Sequence, residues 1–280
     1  MKLSTAILRA MLVFVAVCVI QAVAGTLVLA PAKSPSLPNA MYWMLLSNAL
    51  VVASLGLVAT RSDWRGWRLG AAMAGIPLGI GCLNGIEGVV FLTNIGMDWR
   101  RFFAYMIVSA ILIMPVWTLL FGRRTDVSPE HFHPMATKST AEKIWKFLVS
   151  DVAYAFFYLG AGTMVFPYVK DYYATQHLPA MSNLIALQLL LRGPLFIVIC
   201  LVLVRMLGLR GLQGALAVGA VFTLLSGVTP LLLPNPYMPD AVRWAHMCEV
   251  TSSNFVFGAM MAWLWGEPDP ARGLVLHQTA

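Results

Sequence analysis

The sequence predicts an all-α integral membrane protein, a bundle of about eight transmembrane helices, and three observations carry that prediction. Hydrophobic residues make up 59% of the 280 positions and charged residues only 11%, against roughly 45–50% and about 25% in soluble domains. The mean hydropathy is +0.77. Eight separate stretches are apolar enough to cross a hydrocarbon core of roughly 30 Å, which takes about 20 residues of helix. These values exclude a soluble enzyme, a disordered tail and a nucleic-acid binder. They make the lipid bilayer the first partner.

The stretches run over 8–30, 41–60, 69–95, 102–121, 147–168, 183–206, 211–233 and 243–265. The first begins like a signal peptide, with Lys2 ahead of it and Ala22-Val23-Ala24 as a small-residue site. Its apolar run continues through Leu27–Ala30, past the roughly 7–15 residues of a signal core, so an uncleaved first span is expected. Tyr42 and Trp43 open the second stretch, and Trp64 and Trp67 lie between the second and third, where an interfacial aromatic belt would place them. The third is dense in glycine. Gly75/Gly79 and Gly81/Gly85 are small-xxx-small pairs, which allow close helix approach.

The fourth stretch opens on Asp98-Trp99-Arg100-Arg101, and the connector that follows it, 122–146, is the longest in the chain. It is too short for a separate domain. Its Glu130-His131-Phe132-His133 run carries a His-x-His pair, but no third or fourth metal ligand accompanies it, and a solvated cytoplasmic connector is expected. In the sixth stretch Pro194 has no N–H for the carbonyl of Leu190 and is expected to kink the helix just past Arg192. The four cysteines all fall in apolar stretches without a CxxC and read as small hydrophobes.

The chain thus reads as a single polytopic domain, 1–280, divided by 122–146 into two four-helix halves. The halves show faint self-similarity. Arg65-Gly66 opens the third stretch and Arg210-Gly211 the seventh, and Asp98 and Asp240 stand at similar distances beyond them. Because each half has an even number of spans, such a 4+4 repeat would be parallel, about an axis along the membrane normal.

The formal net charge of +7 fits the bias of Lys and Arg toward short cytoplasmic loops. With the N-terminus inside, the outer segments hold only Lys33, Arg100, Arg101, Lys170 and Arg243, and Arg192 lies within a span; every other Lys and Arg falls on the cytoplasmic side. An N-in/C-in arrangement follows. Compact spans and short loops fit a bacterial cytoplasmic (inner) membrane.

Any chemistry must then sit among the helices, where ionisable side chains cost about 2.5–3.5 kcal/mol at the centre of a span. Four stand out: Glu87, Arg192, His246 and Glu249. Asn84 and Glu87 share a helix face at a spacing of three, as Gln188 and Arg192 do at four. His246, Glu249 and Ser253 form one stripe, with Asn254 beside it. Under the assigned orientation Glu87, Arg192 and Glu249 fall within roughly 5 Å of one another in depth, so one polar cluster in the outer half of the bundle is expected. Two carboxylates face one arginine. The surplus acid must be protonated, paired with His246, or neutralised by a ligand cation.

No HExxH, Walker A or dinucleotide-binding motif is present, and a lone intramembrane histidine disfavours a bis-histidine haem. No cofactor is expected. The expected function is a carrier or permease for a small polar or charged solute, with or without proton coupling, using Asn84, Glu87, Gln188, Arg192, His246, Glu249, Ser253 and Asn254 as binding residues. Two alternatives stay open: a non-catalytic subunit or assembly factor binding the helices of a membrane partner, and an intramembrane enzyme acting on a lipid.

Overall fold

Helices form wherever the apolar stretches lie, because a chain in hydrocarbon must satisfy its backbone polar groups internally. The computed structural model describes residues 2–29, 39–91, 98–123, 138–176, 178–234 and 238–266, and no strand occurs among them. In order they give α1 (Leu3–Val28), α2 (Ala40–Arg61), α3 (Gly66–Phe91), α4 (Trp99–Phe121), α5 (Thr140–Tyr173), α6 (Met181–Leu207), α7 (Gly211–Leu232) and α8 (Asp240–Trp265). Among the described residues, α1 to α7 are long and apolar enough to cross a membrane. The protein is a helical, multi-pass membrane protein. The eighth stretch forms a helix of 26 residues, but its own polar residues keep α8 below the apolarity of the other seven. The His-x-His motif lies outside the described residues.

Local sequence explains the helix ends. Asp98 caps α4 by accepting from the Arg101 N–H at 3.2 Å. Ser139 caps α5 by accepting from the Glu142 N–H at 3.1 Å, and Glu142 pairs with Lys146 at 2.7 Å one turn on. These contacts start α5 inside the predicted connector, earlier than its apolar stretch. Gly208 ends α6 with φ of 60°, a left-handed turn that glycine adopts without strain.

Within the first half α1 packs on α2 and α4, and α3 packs most extensively on α4; within the second, α5 packs on α6 and α8, and α7 on α8. The halves meet where α2 and α3 face α6 and α7. Burial follows this plan. The apolar windows of α6 and α7 are 50% and 56% buried, whereas those of α1 and α4 are 11% and 6% buried, which leaves the latter two to face lipid.

Close approach is built from glycine. A β-carbon on Gly85 would lie 2.7 Å from the Phe102 ring of α4. One on Gly258 of α8 would lie 3.0 Å from the Gly219 Cα of α7. Gly81 also faces α4, whereas Gly75 meets nothing within 4 Å and Gly79 faces Ile199 of α6, so only the second small-residue pair of α3 serves the α3–α4 contact.

The expected kink at Pro194 takes a particular form. Residues Gln188–Arg192 wind as a π-turn and the α-helix resumes at Gly193. The same device recurs in α7, where the π-turn Leu224–Val228 precedes Pro230. In both, the ring of a proline near the start of the next segment cannot continue the ordinary ladder, and a wider turn absorbs the mismatch. Just beside these turns Tyr154, Phe196, Phe222 and Phe257 pack ring against ring, edge-to-face or tilted, at 5.1–6.0 Å and lock α5, α6, α7 and α8 together.

Candidate functional site

Arg192 is the last residue of the α6 π-turn, and its side chain is 3% exposed. It forms an ion pair with Glu87 of α3, whose side chain is 13% exposed. The Tyr158 hydroxyl of α5 donates a hydrogen bond to the same carboxylate oxygen of Glu87. An Arg192 N–H donates to Asn84 Oδ1 at 3.3 Å. The guanidinium carbon lies 5.3 Å from the ring centres of both Tyr158 and Phe196, where the aromatic faces favour a cation. Three helices therefore share one charge pair, while Arg192 Nε, also buried, has no hydrogen-bond partner.

A polar chain extends from it toward α7 and α8. Asn84 Nδ2 donates at 3.4 Å to the carbonyl of Ser226, inside the second π-turn. Ser226 Oγ in turn accepts from Asn254 Nδ2 at 2.9 Å. Pro230 has no N–H to give to that carbonyl, which leaves it open for Asn84.

The second carboxylate has its own partner. His246 Nδ1 and Glu249 Oε2 are 2.9 Å apart on α8, and Glu249 is buried. Its Oε1 packs over Gly162 of α5, where a β-carbon would come within 3.2 Å. This pair lies within electrostatic range of Glu87 and Arg192. Of the routes open to the surplus acid, the structure takes the histidine: Arg192 goes to Glu87, and Glu249 goes to His246. The first pair is neutral as a unit. The second carries one negative charge or none, depending on a single proton.

The remaining expected residues differ in placement. The Ser253 hydroxyl donates to the Glu249 carbonyl of its own helix at 2.9 Å. Gln188 is fully buried on the π-turn, but neither of its side-chain polar atoms has a hydrogen-bond partner. Tyr158 and Ser226 complete the network without having been singled out by charge; the only sequence signal for Tyr158 is a Tyr154/Tyr158 pair at helical spacing inside a span. Asp151, an acid inside the fifth apolar stretch, also belongs to this region, with its Oδ1 buried and without a partner. Among the described residues no group of three or more His, Cys, Asp and Glu could hold a metal ion.

A comparison with known protein families, curated proteins and solved structures finds no match to this chain. What it does must therefore be argued from the geometry alone.

Proposed function

We propose that this protein is a multi-pass carrier for a small polar or charged solute, coupled to protons through His246 and Glu249. One observation carries the reading: the Arg192–Glu87 pair crosses the contact between the two halves and does so on a π-turn. Carrier sites sit at the interface of internal repeats, on helices whose regular winding is interrupted, and π-turns recur at functional positions. In this reading all eight helices span, both termini are cytoplasmic, and the halves are a parallel 4+4 repeat. The pairing of α1 with α2 and α4, and of α3 with α4, repeats as α5 with α6 and α8, and α7 with α8, which supports such a repeat. Arg192 recognises or counterbalances the solute charge, Glu87 and Asn84 complete its first contacts, and the His246–Glu249 pair takes up or gives a proton.

The test is uptake and proton flux in vesicles of bacterial lipid containing the purified protein, screened against small organic acids, amino acids and amines. A solute-dependent flux that disappears in Glu87→Gln and Arg192→Met is the expected result. Flux unaffected by either change, or by Glu249→Gln, removes the site assignment.

The assembly-factor reading draws on a different observation, the near-complete burial of Arg192 behind Tyr158 and Phe196. It requires a stable membrane complex that dissociates in Arg192→Leu, together with no flux in the wild type.

A further inference from the structure

Arg192 holds Glu87 by charge while part of its guanidinium stays open. Nη1 forms the ion pair without a directed hydrogen bond, and the buried Nε has no partner. A second acid lies against the very next residue. Asp151 of α5 is partly exposed, yet its Oδ1 is buried, has no partner, and sits where a β-carbon on Gly193 would be. Adding the Cα–Cβ bond and the step of about 3.8 Å between consecutive Cα atoms places that oxygen within about 7 Å of the Arg192 Cα, roughly the length of an extended arginine side chain. One arginine therefore has two acids in reach.

The contacts of α5 mark the path between the two positions. Asp151, Tyr154 and Tyr158 stand at i, i+3 and i+7, on one face of the helix. Each meets α6: Asp151 at Gly193, Tyr154 at Phe196 with ring centres 5.3 Å apart, and Tyr158 at the guanidinium, whose carbon lies 5.3 Å from its ring centre. Tyr158 and Asp151 are roughly 10 Å apart along the axis. The Tyr154 hydroxyl, on the residue between them, is also buried without a partner. Arg192 closes a π-turn, a winding that recurs where a side chain has a functional task. Other cations on the packed elements are engaged: Lys146, earlier on α5, pairs with Glu142, and His246 of α8 pairs with Glu249.

We propose that Arg192 is a two-position arginine, paired with Glu87 of the opposite half in the present structure and with Asp151 of its own half when Glu87 is protonated. Charge balance couples the two acids. They share one arginine, so the acid that the arginine leaves is best satisfied by a proton in this low-dielectric interior. With Arg192 on Glu87, the open acid is Asp151; with Arg192 on Asp151, it is Glu87. In the orientation proposed above, the open acid then passes between the cytoplasmic and outer halves of the bundle, a proton relay separate from His246 and Glu249. The swap also breaks the charge contact that joins α3 to α6. It depends on the three side chains and stands whether or not a solute is carried.

The experiment is a double-mutant cycle on thermal unfolding of the full-length protein in detergent, with Glu87→Gln standing for protonated Glu87. Asp151→Asn is expected to leave the unfolding temperature of the wild type nearly unchanged, because the acid is unpaired there. In the Glu87→Gln background the same change lowers it by several degrees, because Arg192 then loses its second counter-ion. Labelling of Asp151 by dicyclohexylcarbodiimide, read by mass spectrometry of its peptide, is the second measurement and decides the matter if the doubly changed protein does not fold. Asp151 is expected to react in the wild type and about tenfold or more slowly in Glu87→Gln, where the arginine covers it. Additive temperature shifts, or labelling as fast in Glu87→Gln as in the wild type, overturn the switch. A carboxyl already protected in the wild type overturns it as well, since Asp151 would then have a partner at rest. Neither readout involves uptake, so the switch can hold where the carrier reading fails, and fail where it holds.

Discussion

Arg192 stays charged inside the bundle because three side chains meet it: Glu87 as counter-ion, Asn84 as acceptor and Tyr158 as the donor that holds the carboxylate in place. Removing one member of a buried pair strands the other, at a cost of about 3–5 kcal/mol, whereas replacing both by neutral groups of similar volume costs far less. Arg192→Leu is therefore expected to lower the unfolding temperature in detergent much more than the double change Glu87→Gln with Arg192→Met. A double variant as unstable as Arg192→Leu would show that the pair is not an isolated unit. Tyr158→Phe removes only the hydroxyl and is expected to cost about 1–3 kcal/mol, read in the same unfolding experiment. The charges in this network were legible in the sequence, since Glu and Arg in an apolar run have few explanations. Tyr158 was not, because tyrosine is common at membrane boundaries for other reasons, and nothing in a linear sequence marks the one whose hydroxyl meets Glu87.

At the scale of the helix, apolarity and glycine spacing tell different amounts. Apolar runs located every helix to within a turn or two, except where polar capping took α5 beyond its hydrophobic limits. The burial of polar residues on α8 was harder to read, since Arg243, Glu249, Ser253 and Asn254 become buried only once α8 packs on α5, α6 and α7. Glycine pairs announce close packing without saying which pair meets a partner. Gly258 meets the Gly219 backbone, which cannot move aside as a side chain can. Gly258→Ala is accordingly expected to destabilise by about 1–3 kcal/mol. Gly75 faces open space, and Gly75→Ala is expected to be neutral or to stabilise by up to about 1 kcal/mol through helix propensity. Equal unfolding temperatures for the two variants would contradict the packing assigned to α7 and α8. Proline foretold an interruption in α6, but not that a π-turn would absorb it, because the form depends on how α3 and α5 hold Arg192 and Gly193. Pro194→Ala restores an N–H to this turn. It is expected to slow hydrogen exchange over 188–194 while reducing flux, and unchanged exchange would mean that the π-turn does not depend on the proline.

Across the whole molecule the two halves are joined by contacts at three depths. Trp43 of α2 meets Trp244 of α8 with ring centres 6.0 Å apart, and Ser47 donates to the Thr229 carbonyl of α7 at 2.9 Å. The Glu87–Arg192 pair lies between the ends. At the other end Asp63, in the turn between α2 and α3, pairs with Arg205 in the last turn of α6, with side chains 25% and 10% exposed. A carrier built from two halves must release one end of this seam while the other stays closed. The Asp63–Arg205 contact is an ion pair nearer to water than Glu87–Arg192, so its loss costs less and its effect falls on one end. The native reporter is Cys200, fully buried on α6, roughly 7 Å along the helix from Arg205. In a background with Cys18, Cys82 and Cys248 replaced by serine, Asp63→Asn is expected to speed labelling of Cys200 by a membrane-permeant maleimide. The exchanged pair, Asp63→Arg with Arg205→Asp, restores the slow rate by reversing the charges across the same contact. If Cys200 reacts at the wild-type rate in Asp63→Asn, the seam does not open from this end. If the exchanged pair stays fast, geometry beyond the charges holds it shut.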